Sequence, residues 1–346
     1  MFKPKYTITD KLLSQIKQVN SLVIKLNQRG FPKLVLMEFE KTARALSAFA
    51  STSIEGNPLP LTEVKKILKS KPEYIRDSEQ EILNYNKALI ELNKKFKPSK
   101  TRLSLEAILK LHKQVTQNLL PKYQSGHLRQ QPVIINDPKT KKVVFLPPGV
   151  KDVKKLVKEL IEFVNKNQTK IDPLIIAGIF HKQMVIIHPF MDGNGRTTRL
   201  ATKLLLAKLG LNTFKLFSFE NYYNQNITRY FRAVGKQGDY YDSKKNVDFT
   251  AWLEYFTEGI IDELLRIKKL LPNIGFNPKT QIKPFHQKML KHIKENNFIT
   301  DKEYAKLVKR AKATRALDFK KLIKLGLISR KGKGKSTYYI AKESID

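Results

Sequence analysis

Twelve consecutive residues, His188-Pro-Phe-Met-Asp-Gly-Asn-Gly-Arg-Thr-Thr-Arg199, bring together a base, a hard oxygen ligand, two glycines around an asparagine and two arginines. The apolar run before them reads as a helix that stops at His188-Pro189, because proline cannot continue it. A second helix is expected to begin near Asn194 or Gly195. Gly193 and Gly195 permit positive φ and close backbone approach, so consecutive N–H groups can turn inward toward an anion. A helix N-terminus behind that nest adds unpaired N–H groups and a favourable dipole. Arg196 and Arg199 lie about one helical turn apart and can share a face, which suits successive phosphates. Asp192 is the type of ligand that holds Mg²⁺ beside phosphates. Together these parts describe a phosphate-handling loop. Phe190 is expected to anchor the loop in the core and to perform no chemistry.

The same residues resemble the signature H-P-F-x-[DE]-G-N-G-R-x-x-R of the Fic family of nucleotidyl transferases. That resemblance implies an all-helical domain that transfers AMP from ATP to a Ser, Thr or Tyr hydroxyl of a target protein. His188 would be the general base, and Asp192 would hold a Mg²⁺ bridging the α- and β-phosphates. Gly193, Asn194, Gly195 and Thr197 would bind the nucleotide, while Arg196 and Arg199 neutralise the β- and γ-phosphates. A neutral His188 is required, so activity should fall below its pKa. Kinase-like relatives depart from the signature at the second glycine, present here as Gly195, which favours nucleotidyl transfer.

Upstream, Ser51-Thr-Ser-Ile-Glu-Gly-Asn57 resembles the family's inhibitory motif [ST]-x-x-x-E-[GN], with Ser51, Glu55 and Gly56 at the matching positions. The implied role is autoinhibition: Glu55 pairs with Arg199, occupies the charge that the γ-phosphate needs and repels ATP. The same glutamate supports removal of AMP in some family members. The segment 132–146 matches the place of the family's flap, which clamps a target backbone by strand addition, and Gly126-His-Leu-Arg129 and Pro147-Pro148 flank it as in relatives. Ser218–Val234 resembles the helix whose aromatic pair, here Tyr230-Phe231, lines the nucleotide base. The loop Gly235–Asp239 that follows is shorter than usual and lacks an asparagine.

Several elements must position this loop. Helical periodicity marks Thr9–Leu26, Leu36–Ala48, Arg76–Lys94, Ser104–Leu119, Val150–Asn165, Asp172–Ile187, Asn194–Leu209 and Val247–Leu270. Proline and glycine punctuate them at Gly30-Phe-Pro32, Pro58-Leu-Pro60, Pro121, Pro147-Pro-Gly149 and Gly210. Pro132–Ile135 and Val143–Leu146 read as two short strands around a polar turn. The long helical pattern stops at Leu271–Pro278. Beyond it come a helix over Pro284–Glu295, a capping box at Thr300-Asp-Lys-Glu303, a helix over Thr314–Leu325, and a hairpin from Leu327–Arg330 to Ser336–Ile340 with the basic tip 331–335. This order resembles a winged helix-turn-helix. The fold expected is mainly α: a Fic-type helical bundle with a β-hairpin flap and a small C-terminal winged helix domain. The regions are 1–100 with the inhibitory motif, 101–272 as catalytic core and 278–346 as winged helix.

The 346-residue chain has room for two or three domains. With no cysteine, disulfides, thiol catalysis and Cys-based zinc sites are excluded. No signal-type or membrane-length apolar run is present, so a soluble cytoplasmic protein with no membrane partner is expected. The net charge is +35, spread widely in pairs such as Lys65-Lys66 and Lys154-Lys155. Residues 278–346 contribute +13 of it, from nineteen Lys/Arg against six Asp/Glu. That excess, with Lys312, Arg315, Lys320 and Lys321 at the third helix and Lys331, Lys333 and Lys335 on the wing, points to duplex DNA. ATP, a target protein on the flap and a second copy of the chain complete the expected partners. Two rival readings stand beside the transferase: a DNA-binding transcriptional regulator with a nucleotide-sensing Fic domain, and an enzyme acting mainly in de-AMPylation.

Overall fold

The computed structural model describes residues 2–28, 33–70, 72–95, 102–136, 140, 142–207, 211, 215–271, 283–324 and 327–341. The chain forms two compact units, one of residues 1–24 and 42–265, the other of 25–41 and 266–346. The inhibitory-motif segment and the 188–199 loop therefore belong to one unit. The boundary expected at Leu271–Pro278 lies, apart from Leu271, outside the described residues.

In chain order the elements leading to the loop are α1 (Asp10–Asn27), α2 (Lys33–Ile54), α3 (Leu61–Lys69), α4 (Asp77–Lys95), α5 (Leu105–Thr116), β1 (Ile135–Asn136), β2 (Val143–Leu146), α6 (Val150–Asn167) and α7 (Pro173–Ile187). After it come α8 (Asn194–Leu206), α9 (Glu220–Gln225), α10 (Ile227–Val234), β3 (Gly238–Asp239), α11 (Tyr240–Ser243) and α12 (Thr250–Leu270).

Helix α7 organises the first unit. Its sequence is apolar apart from His181, Lys182 and Gln183, and such a helix is stable only when surrounded; thirteen of its fifteen residues are buried. The Asp172 carboxylate accepts the Leu174 N–H at 2.8 Å and Pro173 occupies the first turn, so the start is fixed locally. Helices α6, α8 and α10 pack on it. Helix α12 comes close at Gly178, where an added Cβ would lie 2.6 Å from Leu253 Cδ2. There the Trp252 indole donates to the Gly178 carbonyl at 2.7 Å. Helices α4 and α5 pack against α8.

Three elements differ from the sequence expectation for physical reasons. Helix α2 runs past Ala48 to Ile54, because the Thr52 hydroxyl folds back onto the Ala48 carbonyl instead of ending the helix, and Gly56 at φ +96° makes the stop. Helix α3 starts at a proline that reads as punctuation: Pro60 is its N-cap, and Val64 and Ile67 are buried. The stretch 218–234 is likewise two helices, broken at Asn226, whose side chain caps α10. The flap is an antiparallel pair of β1 and β2, with a register irregularity at Ile135/Asn136. A third strand, β3, pairs parallel with β2, which makes β2 the middle strand. Phe145 points inward onto Ile186 and Tyr240, and Leu146 points outward. The turn residues 137–139 and 141 lie outside the described part.

The second unit contains α13 (Pro284–Asn296), β4 (Phe298–Ile299), α14 (Asp301–Leu307), α15 (Lys312–Lys324), β5 (Ile328–Lys331) and β6 (Tyr338–Ala341), with sheet order β4-β6-β5. The Thr300/Glu303 capping box forms as the spacing dictates. Met289, Ile293, Ile299, Tyr304, Phe319, Leu322 and Ile328 make its core. Tyr339 stacks on Phe319 at 3.9 Å, while Tyr338 leans edge-on against Phe298. Buried Asp318 accepts from Tyr304, His286 and Arg310. Arg315, expected at a DNA-facing helix, is instead paired through two nitrogens with Asp301 at 2.8 Å each.

Candidate active site

Helix α8 buries three cations, Arg196, Arg199 and Lys203. A buried charge must be paired, and α2, α4, α9 and the loop itself supply the partners. Serines 47 and 51 and Glu55 recur every four residues along and just beyond α2, which places them toward one side. The Lys203 ammonium donates to Ser47 Oγ and the Phe217 carbonyl at 2.7 Å each, and lies 3.1 Å from buried Glu220. Tyr85 on α4 donates to the same Glu220 at 2.5 Å. Arg199 donates from Nε to Ser51 Oγ and from Nη2 to the Ser51 carbonyl and to Glu55 Oε1, all at 2.8 Å. Burial works against the Arg199 charge, but Glu55 and the phenols of Tyr230 and Tyr85 outweigh it and hold its pKa above the ordinary arginine value. Arg196 donates from Nη1 to Glu81 Oε1 at 2.8 Å and from Nη2 to Asp192 Oδ2 at 2.7 Å.

The loop before α8 has the geometry of an anion cradle. Gly193 caps the helix in the left-handed region at φ +73°, where a side chain would be strained and would collide with Thr116 of α5 at 2.8 Å. Gly195 needs no positive φ; it needs space. A Cβ there would fall 2.0 Å from Glu55 Oε1 and 2.8 Å from Arg199 Nη1. The Glu55 carboxylate therefore lies directly over the first turn of α8. Arg199 Nη1 and Arg196 Nε are buried without a hydrogen-bond partner among the described residues. Buried donors without partners beside a helix N-terminus are what an anionic ligand would satisfy.

His188 ends α7 in the left-handed region, φ 49° and ψ 61°, a sparsely populated setting for a non-glycine residue. Its Nδ1 lies 3.3 Å from the Val185 carbonyl. A carbonyl can only accept, so the neutral ring carries its proton on Nδ1 and leaves the Nε2 lone pair free. Burial lowers the pKa of His188, against smaller opposing effects from the Val185 carbonyl and Glu55. The ring is therefore neutral at pH 7, as a base must be.

Three residues that hold this arrangement carried no role in the sequence reading. Arg129 donates from Nε to the His188 carbonyl at 2.9 Å, from Nη1 to the Gln131 carbonyl at 3.2 Å, and from Nη2 to the Pro148 carbonyl. Its backbone N–H bonds the Pro189 carbonyl at 2.9 Å. One guanidinium thus fixes both ends of the flap to the histidine. His112 of α5 stacks on Phe190 at 3.8 Å and accepts the Gly126 N–H at Nδ1. Its Nε2–H must then donate to the Asp192 carbonyl, 3.0 Å away. Burial drives the His112 pKa down to about 4, which keeps that tautomer neutral. Glu81 is the third. The only sequence signal for any of them was Arg129 in the quoted flank of the flap; His112 and Glu81 sit on ordinary amphipathic helices.

The sequence-assigned residues fall into two groups. His188, Asp192, Gly193, Gly195, Arg196 and Arg199 converge with Ser51 and Glu55, while Gly56 ends helix α2. Asn194 uses its side-chain amide on the Phe190 backbone, with both bonds at 2.9 Å, and so closes the loop; toward a ligand it offers backbone alone. The Thr197 hydroxyl is fully buried. Tyr230, assigned to the nucleotide base, is buried, with its hydroxyl 2.9 Å from His181 Nε2, and its neighbour Phe231 is the exposed ring of the pair. On the flap, Ile134 and Val143 are more than half exposed.

Residues 102–206 match the Fic/DOC family. This segment is similar to the Fic domain. Its curated relatives include protein adenylyltransferase fic-1 of Caenorhabditis elegans, 31% identical over 171 residues, which are 48% of this chain and 32% of that protein. Protein adenylyltransferase Fic of Drosophila grimshawi is 30% identical over 179 residues, 51% of this chain and 35% of that one. The chain thus spans about a third of the length of these relatives. Among solved structures, a Fic family protein from Desulfovibrio desulfuricans G20 matches 98% of both chains with a TM-score of 0.66 at 19% identity. The C. elegans Fic-1 fragment 134–508 matches 74% of this chain and 71% of its own with a TM-score of 0.57 at 22% identity. The mainly helical fold of the first unit is therefore the Fic fold.

Proposed function

We propose that the protein transfers AMP from ATP to a hydroxyl of a target protein and is restrained by its own Glu55. The observation that carries this reading is the Glu55 carboxylate, only 23% exposed, lying over Gly195 and paired with Arg199 at 2.8 Å. An anion of the chain occupies the place that the helix N-terminus and two under-satisfied arginines prepare for phosphate. In the transfer step the target hydroxyl oxygen bonds to the α-phosphorus and its proton passes to His188 Nε2. The bond from that phosphorus to the bridging oxygen breaks, and pyrophosphate leaves. Arg196 and Arg199 hold the leaving charge. Arg129 keeps the His188 backbone fixed relative to the flap, where the target strand would dock.

The implied Mg²⁺ suits the residues present. Among the described residues no three His, Asp or Glu side chains gather into a metal cage, and Mg²⁺ characteristically takes one or two carboxylates with phosphates and water. Asp192, half-exposed at the mouth of the loop, is that carboxylate. When bound, the metal would neutralise phosphate charge.

The test uses ATP labelled at the α- or γ-phosphate with wild type, Glu55→Gly and His188→Ala. Strong α-label transfer by Glu55→Gly, weak transfer by wild type and none by His188→Ala are expected. Transfer of γ-label alone overturns nucleotidyl transfer in favour of kinase chemistry. Label that Glu55→Gly acquires but wild type removes favours de-AMPylation as the main activity.

For the second unit, a specific observation supports a winged helix: three helices with a β4-β6-β5 sheet whose hairpin tip carries exposed Lys331 and Lys333. The reading as a duplex-DNA partner rests on those residues and on exposed Lys312 and Lys320, since Arg315 is engaged with Asp301. A salt-dependent shift of duplex DNA that survives removal of 278–346 would refute it.

A further inference from the structure

Glu81 lies on α4, more than a hundred residues from the motif, yet each of its carboxylate oxygens has a different partner. Oε1 accepts from Arg196 Nη1 at 2.8 Å, and Oε2 accepts from Asn57 Nδ2 at 2.7 Å. Asn57 is two residues beyond Glu55. It is buried and bound on all sides: its second amide hydrogen goes to the Ser78 carbonyl at 2.8 Å, its Oδ1 accepts the Leu59 N–H, and its own N–H bonds the Thr52 carbonyl. The first turns of α4 thus grip the inhibitory segment and the motif arginine with one carboxylate.

We propose that Glu81 is a positioning residue that couples the Arg196 phosphate site to the seating of the inhibitory segment through Asn57. This rests on the nucleotide reading of the site given above. Arg196 has three guanidinium nitrogens: one on Glu81, one on Asp192, and Nε buried without a partner. Asp192 would turn from Arg196 to hold a metal, and phosphate would then compete with Glu81 for the same guanidinium. While residues 55–57 are seated, Asn57 holds Glu81 in place to win that competition. When phosphate takes Arg196, Glu81 is left with Asn57 alone, and the carboxylate no longer ties the inhibitory segment to the motif arginine. Binding linkage makes the effect reciprocal: loosening the segment must strengthen nucleotide binding by the same factor.

The variant Glu81→Gln keeps the size but replaces one accepting oxygen with an NH₂, so it cannot accept from Arg196 and Asn57 together. Calorimetric titration with Mg·ATP reads the result in wild type, Glu81→Gln, Glu55→Gly and the double variant. The coupling predicts that Glu81→Gln tightens Mg·ATP by at least about fivefold when Glu55 is present, and by less than about twofold once Glu55 is gone. Asn57→Ala, which leaves the Arg196–Glu81 pair intact, should tighten binding in the same direction; it keeps the proposal testable should Glu81→Gln fold poorly. An equal change in both backgrounds, or no effect of Asn57→Ala, overturns the coupling and reduces Glu81 to a partner of Arg196. If Glu55→Gly neither tightens Mg·ATP nor transfers α-label, the underlying nucleotide reading has failed instead.

Discussion

Gly195→Ala tests the most specific geometry of this site, because the general rule and the local contacts predict opposite signs. Gly195 is the second residue of α8 and does not need positive φ. Replacing a helical glycine with alanine ordinarily stabilises by about 0.5–1 kcal/mol. Here the new Cβ would meet Glu55 Oε1 at 2.0 Å, against 3.4 Å or more for an ordinary contact, so the carboxylate must withdraw by about 1.4 Å. From 2.8 Å, that takes it out of hydrogen-bond range of Arg199. Losing one hydrogen bond between charged groups costs roughly 1.5–3 kcal/mol, while Ser51 continues to satisfy two of the Arg199 donors. The net expectation is destabilisation by about 1–2 kcal/mol. In a Glu55→Gly background the carboxylate is absent and only the 2.8 Å approach to Arg199 Nη1 remains, so the same substitution should cost less by about the worth of the lost Glu55–Arg199 bond, roughly 1.5–3 kcal/mol. Urea unfolding can be followed by the fluorescence of Trp252, the single tryptophan, which is buried in the unit that contains the site. Four proteins close a double-mutant cycle, and the coupling between positions 55 and 195 should be roughly 1.5–3 kcal/mol. Equal effects of Gly195→Ala in both backgrounds would refute the placement of Glu55 over the helix N-terminus.

Two further outcomes follow from histidines. Burial lowers the His188 pKa below its ordinary value near 6.5, so the acidic limb of transfer by Glu55→Gly should lie below pH 6.5; a limb above pH 6.5 in the pH–rate profile would contradict a buried, neutral base. His112 titrates near 4 in the folded chain against 6.5 unfolded. Between those values the unfolded chain binds the extra proton, so stability falls as pH drops from 6.5 to about 4, by roughly 3 kcal/mol at most, and this dependence ends below that. Comparing urea midpoints at pH 7 and pH 4.5 for wild type and His112→Gln measures it. A variant with the same acid sensitivity as wild type would remove His112 as its source.

The sequence by itself determined much of what depends on neighbours along the chain. The stop at His188-Pro189, the left-handed cap at Gly193, the nest before α8, the one-turn spacing of Arg196 and Arg199, and the Thr300/Glu303 capping box are all local. Residue type and spacing suffice for them. The pairing of Glu55 with Arg199 was legible for a different reason: both ends carry recognisable motifs. The tertiary structure decided which groups face each other across long sequence separations, because burial of a charge creates a demand that local spacing cannot direct. Arg196 found Glu81, Lys203 found Glu220 and Ser47, and His112 reached the Asp192 carbonyl from another helix. The same physics seats Tyr230 in the core, where His181 offers its hydroxyl a partner. It also tied Arg315 to Asp301, away from the partner its charge suggested. Position 195 shows the division most plainly: the chain states that a glycine stands there, and the fold shows that the space is needed for a carboxylate 140 residues upstream.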